Sequence, residues 1–256
     1  MEPVKLAMIK TYPDKGNLEG NHQALMRILK EVALNKPDVV ITPECFLDGY
    51  VVTEESVSAD QLRAFAVIPE ESPYVAEVQA YARDHHCWVI YGLSRLAPDG
   101  VYNSALVIDR EGRIAGIYDK THIQTHDIKF QRGADLPVFS SDFGIFGVMI
   151  CADRRWPETV RTLAIKGARI LFNPTYGMHD ERNLHMMQTR SYESEVFIAF
   201  AHPGQSLVTG PGGEVLCNNQ DDEQRWTLCE VDLSQVDIVR SSKSGHLRDR
   251  RTDLYG

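Results

Sequence analysis

The chain has 256 residues and a mass of 28.9 kDa, with 27 Lys+Arg against 36 Asp+Glu and a net charge of −9 at pH 7. Hydrophobic residues make up 43% and charged residues 25%, which is enough apolar side chain for a substantial core and takes the chain out of the disordered class. No basic block could coat a phosphate backbone and no apolar run approaches the about 20 residues of a membrane helix, so neither nucleic acid nor a bilayer is an expected partner.

In chain order, apolar β-branched runs alternate with helical patterns, the pattern of an α/β fold. Residues 5–9 read as a first strand. Residues 21–35 read as a helix, because Leu25, Ile28, Leu29 and Val32 recur at i, i+3, i+4 and i+7. Lys36-Pro37 ends it, and 38–42 (DVVIT) form a buried strand that stops at Pro43-Glu44. A second helix covers 73–85 and a core strand 87–91. Strands at 104–108 and 114–118 flank Glu111-Gly112 as a hairpin. Another apolar strand, 145–150, runs into Cys151. A helix over 157–166 starts at Pro157, where the missing amide hydrogen costs little. A strand at 169–172, a helix at 181–193 and a strand at 196–201 follow. Strands near 206–208 and 226–231 close the pattern, with Gly210-Pro211-Gly212-Gly213 as a turn, and the tail from Leu233 reads as polar and irregular. The interposed hairpins favour a mixed sheet or two sheets over one doubly wound parallel sheet.

Three reactive residues share one address, just past the end of an apolar strand: Glu44 after DVVIT, Lys120 after IYD and Cys151 after IFGVMI. Side chains from distant positions converge at strand ends in α/β proteins. Taken singly, the glutamate reads as a solvated carboxylate, the lysine as a surface charge and the cysteine as a small apolar group. Together they are chemically coherent. A thiol needs a base or a nearby cation to become a thiolate, and Glu44 and Lys120 offer one of each. Cys45, next to Glu44, is expected to point away and pack.

The residues around these positions carry a resemblance. PECFLDGY around Glu44, YDKTHI around Lys120, GVMICADRRWPE around Cys151, NPT at 173–175, RSYESEVFIAFAHPG at 190–204 and the ending LRDRRTDLYG resemble the nitrilase superfamily of carbon–nitrogen hydrolases, in family order along the whole chain. The resemblance implies an α/β four-layer α-β-β-α sandwich, one domain over 1–256, and a homodimer or higher homo-oligomer with the tail at 233–256 at the interface. It implies Glu44 as general base, Lys120 as stabilising cation and Cys151 as nucleophile. The backbone amide of Ala152 helps to hold the oxyanion, and neither a metal nor an organic cofactor is required. The family often has Tyr or Asn where Ala152 stands. It also often carries a second Glu four residues before the Phe of an F-x-x-G turn; with Phe130 in that place the position falls on His126, with Asp127 beside it.

Residues 153–158 look most like the segment after the nucleophile in N-carbamoyl-D-amino-acid amidohydrolases. There the arginines corresponding to Arg154 and Arg155 can bind a substrate carboxylate, a task suited to a planar guanidinium. Bracing of the turn through Asp153 or Glu158 is the alternative. Tyr50 and Tyr176 are expected to line the pocket, Trp156 to pack at a helix entry and Asn173 to satisfy local backbone. His122 and His126 stand i, i+4, but with no third ligand in reach and Lys120 nearby no metal site is expected. The expected function is a cysteine amidohydrolase acting on a small linear amide or N-carbamoyl compound. A true nitrilase and a catalytically silent binding domain are the alternatives. Five cysteines at 45, 87, 151, 217 and 229 without paired spacing, and an amino terminus without a signal-peptide pattern, point to free thiols in the cytoplasm.

Overall fold

The computed structural model describes residues 2–243 and 245–255. Its first half contains β1 (Val4–Ile9), α1 (Leu18–Ala33), β2 (Val39–Ile41), the single turn α2 (Ala59–Leu62), α3 (Pro73–His85), β3 (Trp88–Ala97), β4 (Gly100–Ile108) and β5 (Ile114–Asp119). The second half contains β6 (Val138–Ser141), β7 (Gly144–Val148), α4 (Pro157–Ile165), β8 (Ile170–Pro174), α5 (Glu181–Ser194), β9 (Phe197–His202), β10 (Gln205–Thr209), β11 (Val215–Asn219), β12 (Trp226–Val231) and α6 (Ser234–Ser241).

Two six-stranded sheets result, ordered β12-β1-β2-β3-β4-β5 and β11-β10-β9-β8-β7-β6. In each, three central strands are parallel and the flanking strands antiparallel, so both sheets are mixed. The period-2 side-chain alternation builds the layers. Leu6 and Met8 of β1 face the second sheet, where they join Ile170 and Phe172 of β8 and Phe197 of β9; Ala7 and Ile9 turn outward against Leu25, Leu29 and Val32 of α1 and Val75 and Val78 of α3. On the far side Leu171, Ile198 and Phe200 meet Val160 and Leu163 of α4 and Met187 of α5. The arrangement is an α-β-β-α sandwich.

Two edge strands, β6 and β11, lie in stretches to which the sequence pattern assigns no element. Both are short and partly exposed, so their patterns lack an apolar face. The polar tail is also corrected: after Leu233 it forms α6, which buries Val236, and beyond that Leu247 packs against the α4–α5 layer.

Candidate active site

Glu44 and Cys151 stand just past the carboxyl ends of the parallel strands β2 and β7, and Lys120 just past the antiparallel edge strand β5. Glu44 follows β2 in a turn that lies directly on β3. A Cβ on Gly92 of β3 would come within 2.3 Å of the Pro43 carbonyl oxygen, so only glycine permits this approach. Lys120 directly follows β5, its amide donating to the Asn103 carbonyl at 2.9 Å. Cys151 follows β7 with φ +45°, a left-handed conformation that costs a non-glycine residue energy and is found where a turn must present a side chain.

Glu44 and Lys120 are fully buried and joined: Lys120 Nζ donates to Glu44 Oε1 at 2.8 Å. The same Oε1 accepts from Asn103 Nδ2 at 2.8 Å, and Oε2 accepts from the Tyr176 backbone amide at 3.0 Å. Lys120 Nζ also donates to Asp127 Oδ2 at 2.5 Å. Burial works against the lysine's charge, but Glu44, Cys151 and Asp127 outweigh it and hold the ammonium well above the ordinary lysine range. Lys120 is therefore a fixed cation, unsuited to act as a base.

Asp127 is the carboxylate that spacing left open. It comes from the short turn Thr125–Asp127, is buried, and also accepts from the Tyr50 hydroxyl at 3.2 Å. His126, the position first in line, is instead exposed, its ring edge-on to Tyr50 with centroids 6.2 Å apart. In a turn this tight, adjacent side chains diverge, and only one can face inward. Tyr50 packs at 5.3 Å against Tyr176, and burial followed by the charges of Glu44, Cys151 and Asp127 raises its phenol far above the ordinary value, keeping it a donor.

The turn Cys151–Arg155 is held from two sides. Asp153, expected to pair with arginine, instead accepts from the Ile150 amide at 2.8 Å, the Tyr118 hydroxyl at 2.7 Å and the Thr121 hydroxyl and His122 amide at 3.0 Å each. It thereby ties the Lys120 segment to the Cys151 turn. Arg154 is buried, with Nε donating to Asn183 Oδ1 at 2.7 Å, Nη2 to the Met178 carbonyl at 2.6 Å and Nη1 to the Cys151 carbonyl, 3.6 Å from Cys151 Sγ. All three of its nitrogens are bonded within the protein, whereas Arg155 is exposed and donates to Gln124 Oε1 at 2.8 Å. Ala152 is the second residue of the turn, ahead of the first internal bond from the Asp153 amide to the Ile150 carbonyl, at a position where amides lack an intrahelical acceptor. Gly177 closes the other side: a Cβ there would stand 3.2 Å from Cys151 Sγ.

Cys45 lies in a separate apolar cluster with Val51, Leu62 and Phe130, and burial, then Asp48 and Glu44, push its thiol well above the ordinary range. It is a packing residue. Trp156 stacks on His122 at 4.1 Å, and Asn173 donates to the Met149 carbonyl at 2.9 Å. His122 Nδ1 lies 2.7 Å from Asp153 Oδ1, and no cluster among the described residues groups three or more His, Cys, Asp or Glu around a cation site.

A model of the carbon–nitrogen hydrolase family matches residues 5–241. The chain belongs to the carbon–nitrogen hydrolase family. This hydrolase is 30% identical to a nitrilase of Pyrococcus abyssi, covering 98% of this chain and 99% of that one. It is 26% identical to the N-carbamoylputrescine amidase of Arabidopsis thaliana, over 93% and 90% of the two chains. Its fold matches the crystal structure of a carbon–nitrogen hydrolase from Helicobacter pylori G27 with TM-score 0.86 at 24% identity, over 99% and 97% of the chains. The fold is that of the nitrilase superfamily, and the hydrolase has amidases among its relatives.

Proposed function

We propose that this hydrolase is a cysteine amidase that cleaves the C–N bond of a small linear amide or N-carbamoyl compound through a thioester. The observation that carries the reading is the buried Glu44–Lys120–Asp127 chain, with the Cys151 thiol presented at positive φ and near enough for its charge to act on Lys120. Cys151 Sγ bonds to the carbonyl carbon while Glu44 takes the thiol proton. Lys120 Nζ and the Ala152 amide hold the oxyanion, each preorganised donor of this kind contributing roughly 3–4 kcal/mol in acyl-transfer enzymes. The oxyanion collapses, the C–N bond breaks and Glu44 returns the proton to the leaving nitrogen. Water then adds to the thioester, Glu44 accepting its proton, and the C–S bond breaks as Glu44 returns that proton to sulfur, which releases the carboxylic acid and restores the thiol. Tyr50 and Tyr176 bound the acyl group, and Arg155 receives a carboxylate where the substrate carries one.

The acting unit is one domain over 1–256 in a homodimer, with 233–256 contributing to the interface. The five free cysteines suit a reducing cytoplasm. No described helix is long and apolar enough to cross a membrane. A nitrile substrate is the second reading, favoured by the Pyrococcus relative. An ammonia-release screen over short amides, N-carbamoyl amino acids, N-carbamoyl amines and matching nitriles tests both, with Cys151→Ala as blank. Release from amides or ureides alone supports the amidase. Release from nitriles alone supports the nitrilase, and release that survives Cys151→Ala removes both.

A further inference from the structure

His202 closes β9 at the same sheet end as the catalytic groups, yet touches none of the reacting atoms. Its surroundings define its tautomer. Nδ1 lies 2.9 Å from the Gly204 amide and must accept, which leaves the proton on Nε2 to be donated to the Tyr176 carbonyl at 2.9 Å. The ring is 1% exposed, parallel to Phe200 at 6.0 Å and stacked on His179 at 4.1 Å, so it cannot swing away. Burial foremost, then the neighbouring His179, lowers its proton affinity to about 3, and the ring stays neutral at working pH.

The bond falls on the Tyr176–Gly177 peptide, which directly follows the peptide group bonded to Glu44. Tyr176 donates its own amide to Glu44 Oε2 at 3.0 Å, and Gly177, on the other side of the carbonyl that His202 grips, abuts Cys151 Sγ. We propose that His202 is a positioning residue that fixes the Tyr176–Gly177 peptide between base and nucleophile, keeping Glu44 aimed at the Cys151 thiol. This rests on the assignment of Glu44 and Cys151 above.

Two substitutions separate positioning from packing. His202→Asn keeps an acceptor for the Gly204 amide but withdraws the donor from the Tyr176 carbonyl. His202→Gln places an amide donor where Nε2 stood. The readout is the rate of Cys151 alkylation by iodoacetamide, followed by peptide mass spectrometry between pH 6 and 9, alongside a melting curve. His202→Asn should slow Cys151 alkylation about tenfold, the equivalent of one net hydrogen bond of about 1.4 kcal/mol, with the largest deficit on the acid side of the profile. His202→Gln should recover most of the native rate. Equal rates in all three chains overturn the positioning role, as does a loss in both variants that merely follows their melting temperatures. If iodoacetamide does not select Cys151 in the native chain, the assignment of the nucleophile fails instead.

Discussion

At the residue scale, two cysteines stand where a nucleophile could, Cys45 beside Glu44 and Cys151 after β7, and their surroundings separate them. Cys151 adjoins Arg154 and a fixed cation, whereas Cys45 sits in an apolar cluster that suppresses its thiolate. Cys151→Ala should lower turnover by on the order of 10⁴ or more, as removal of a covalent nucleophile does elsewhere, while Cys45→Ala keeps most activity; initial-rate assays on folded variants check both. Arg155→Lys should lower kcat/KM for carboxylate-bearing substrates by roughly ten- to hundredfold, the worth of a charged hydrogen bond, and leave the matching neutral amide nearly unchanged. Equal losses for both substrates would end the carboxylate role. Glu44, Lys120 and Cys151 could be singled out in the sequence because each stands just past the end of a strand, and the structure joins Glu44 to Lys120 as that shared address suggests. Asn103 was not, being an inward polar residue within β4, and neither was the choice of Asp127 over His126, which depends on the sense of a three-residue turn.

At the element scale, the four-layer sandwich was what the family resemblance implied; the strand framework itself was legible where strands are buried on both faces, as in β2, β8 and β9, since such strands read as continuous apolar runs. It was not legible at the edges or in the tail, where burial is set by one neighbour. Glu195 shows how the tail is held. It is buried in a left-handed conformation at the end of α5, and its carboxylate accepts from the His246 amide and, at 3.3 Å, the Leu247 amide. No run of apolar residues announces such a contact. Glu195→Ala removes the acceptor and should cost about 1–3 kcal/mol, the penalty for orphaned buried amides. Limited proteolysis should then cut the segment after Ser242 first, with catalysis on small amides little changed; unaltered protection would show that packing at Leu247 suffices.

At the scale of the whole molecule, two buried groups set opposing pH dependences. Burial raises Asp48, which accepts from the Ser94 amide at 2.8 Å, to about 7. The folded chain then holds that proton more tightly than the unfolded chain, so the contribution is present at low pH and lost as pH rises toward 7. His202 behaves oppositely: lowered from 6.5 to about 3, its contribution is complete above 6.5 and lost as pH falls toward 3. Asp48→Asn removes one arm, so its stability relative to the native chain should grow with pH between about 4 and 7, by at most about 1.4 kcal/mol per pH unit, in urea melts. A difference independent of pH would contradict the ionisation of Asp48. For the assembly, gel filtration should give a mass near twice 28.9 kDa or above. Removal of the last ten or so residues should loosen the dimer or depress activity, and a fully active, strictly monomeric truncation would contradict the interface role.

The most direct test of the central claim is acid-quenched mass spectrometry during turnover of a short amide identified by the ammonia-release screen. Covalent catalysis at Cys151 predicts a transient adduct with the mass of the acyl group on the peptide containing Cys151, absent in Cys151→Ala and from Cys45. Sustained ammonia release by Cys151→Ala at the native rate, or an adduct that maps to another residue, would contradict it.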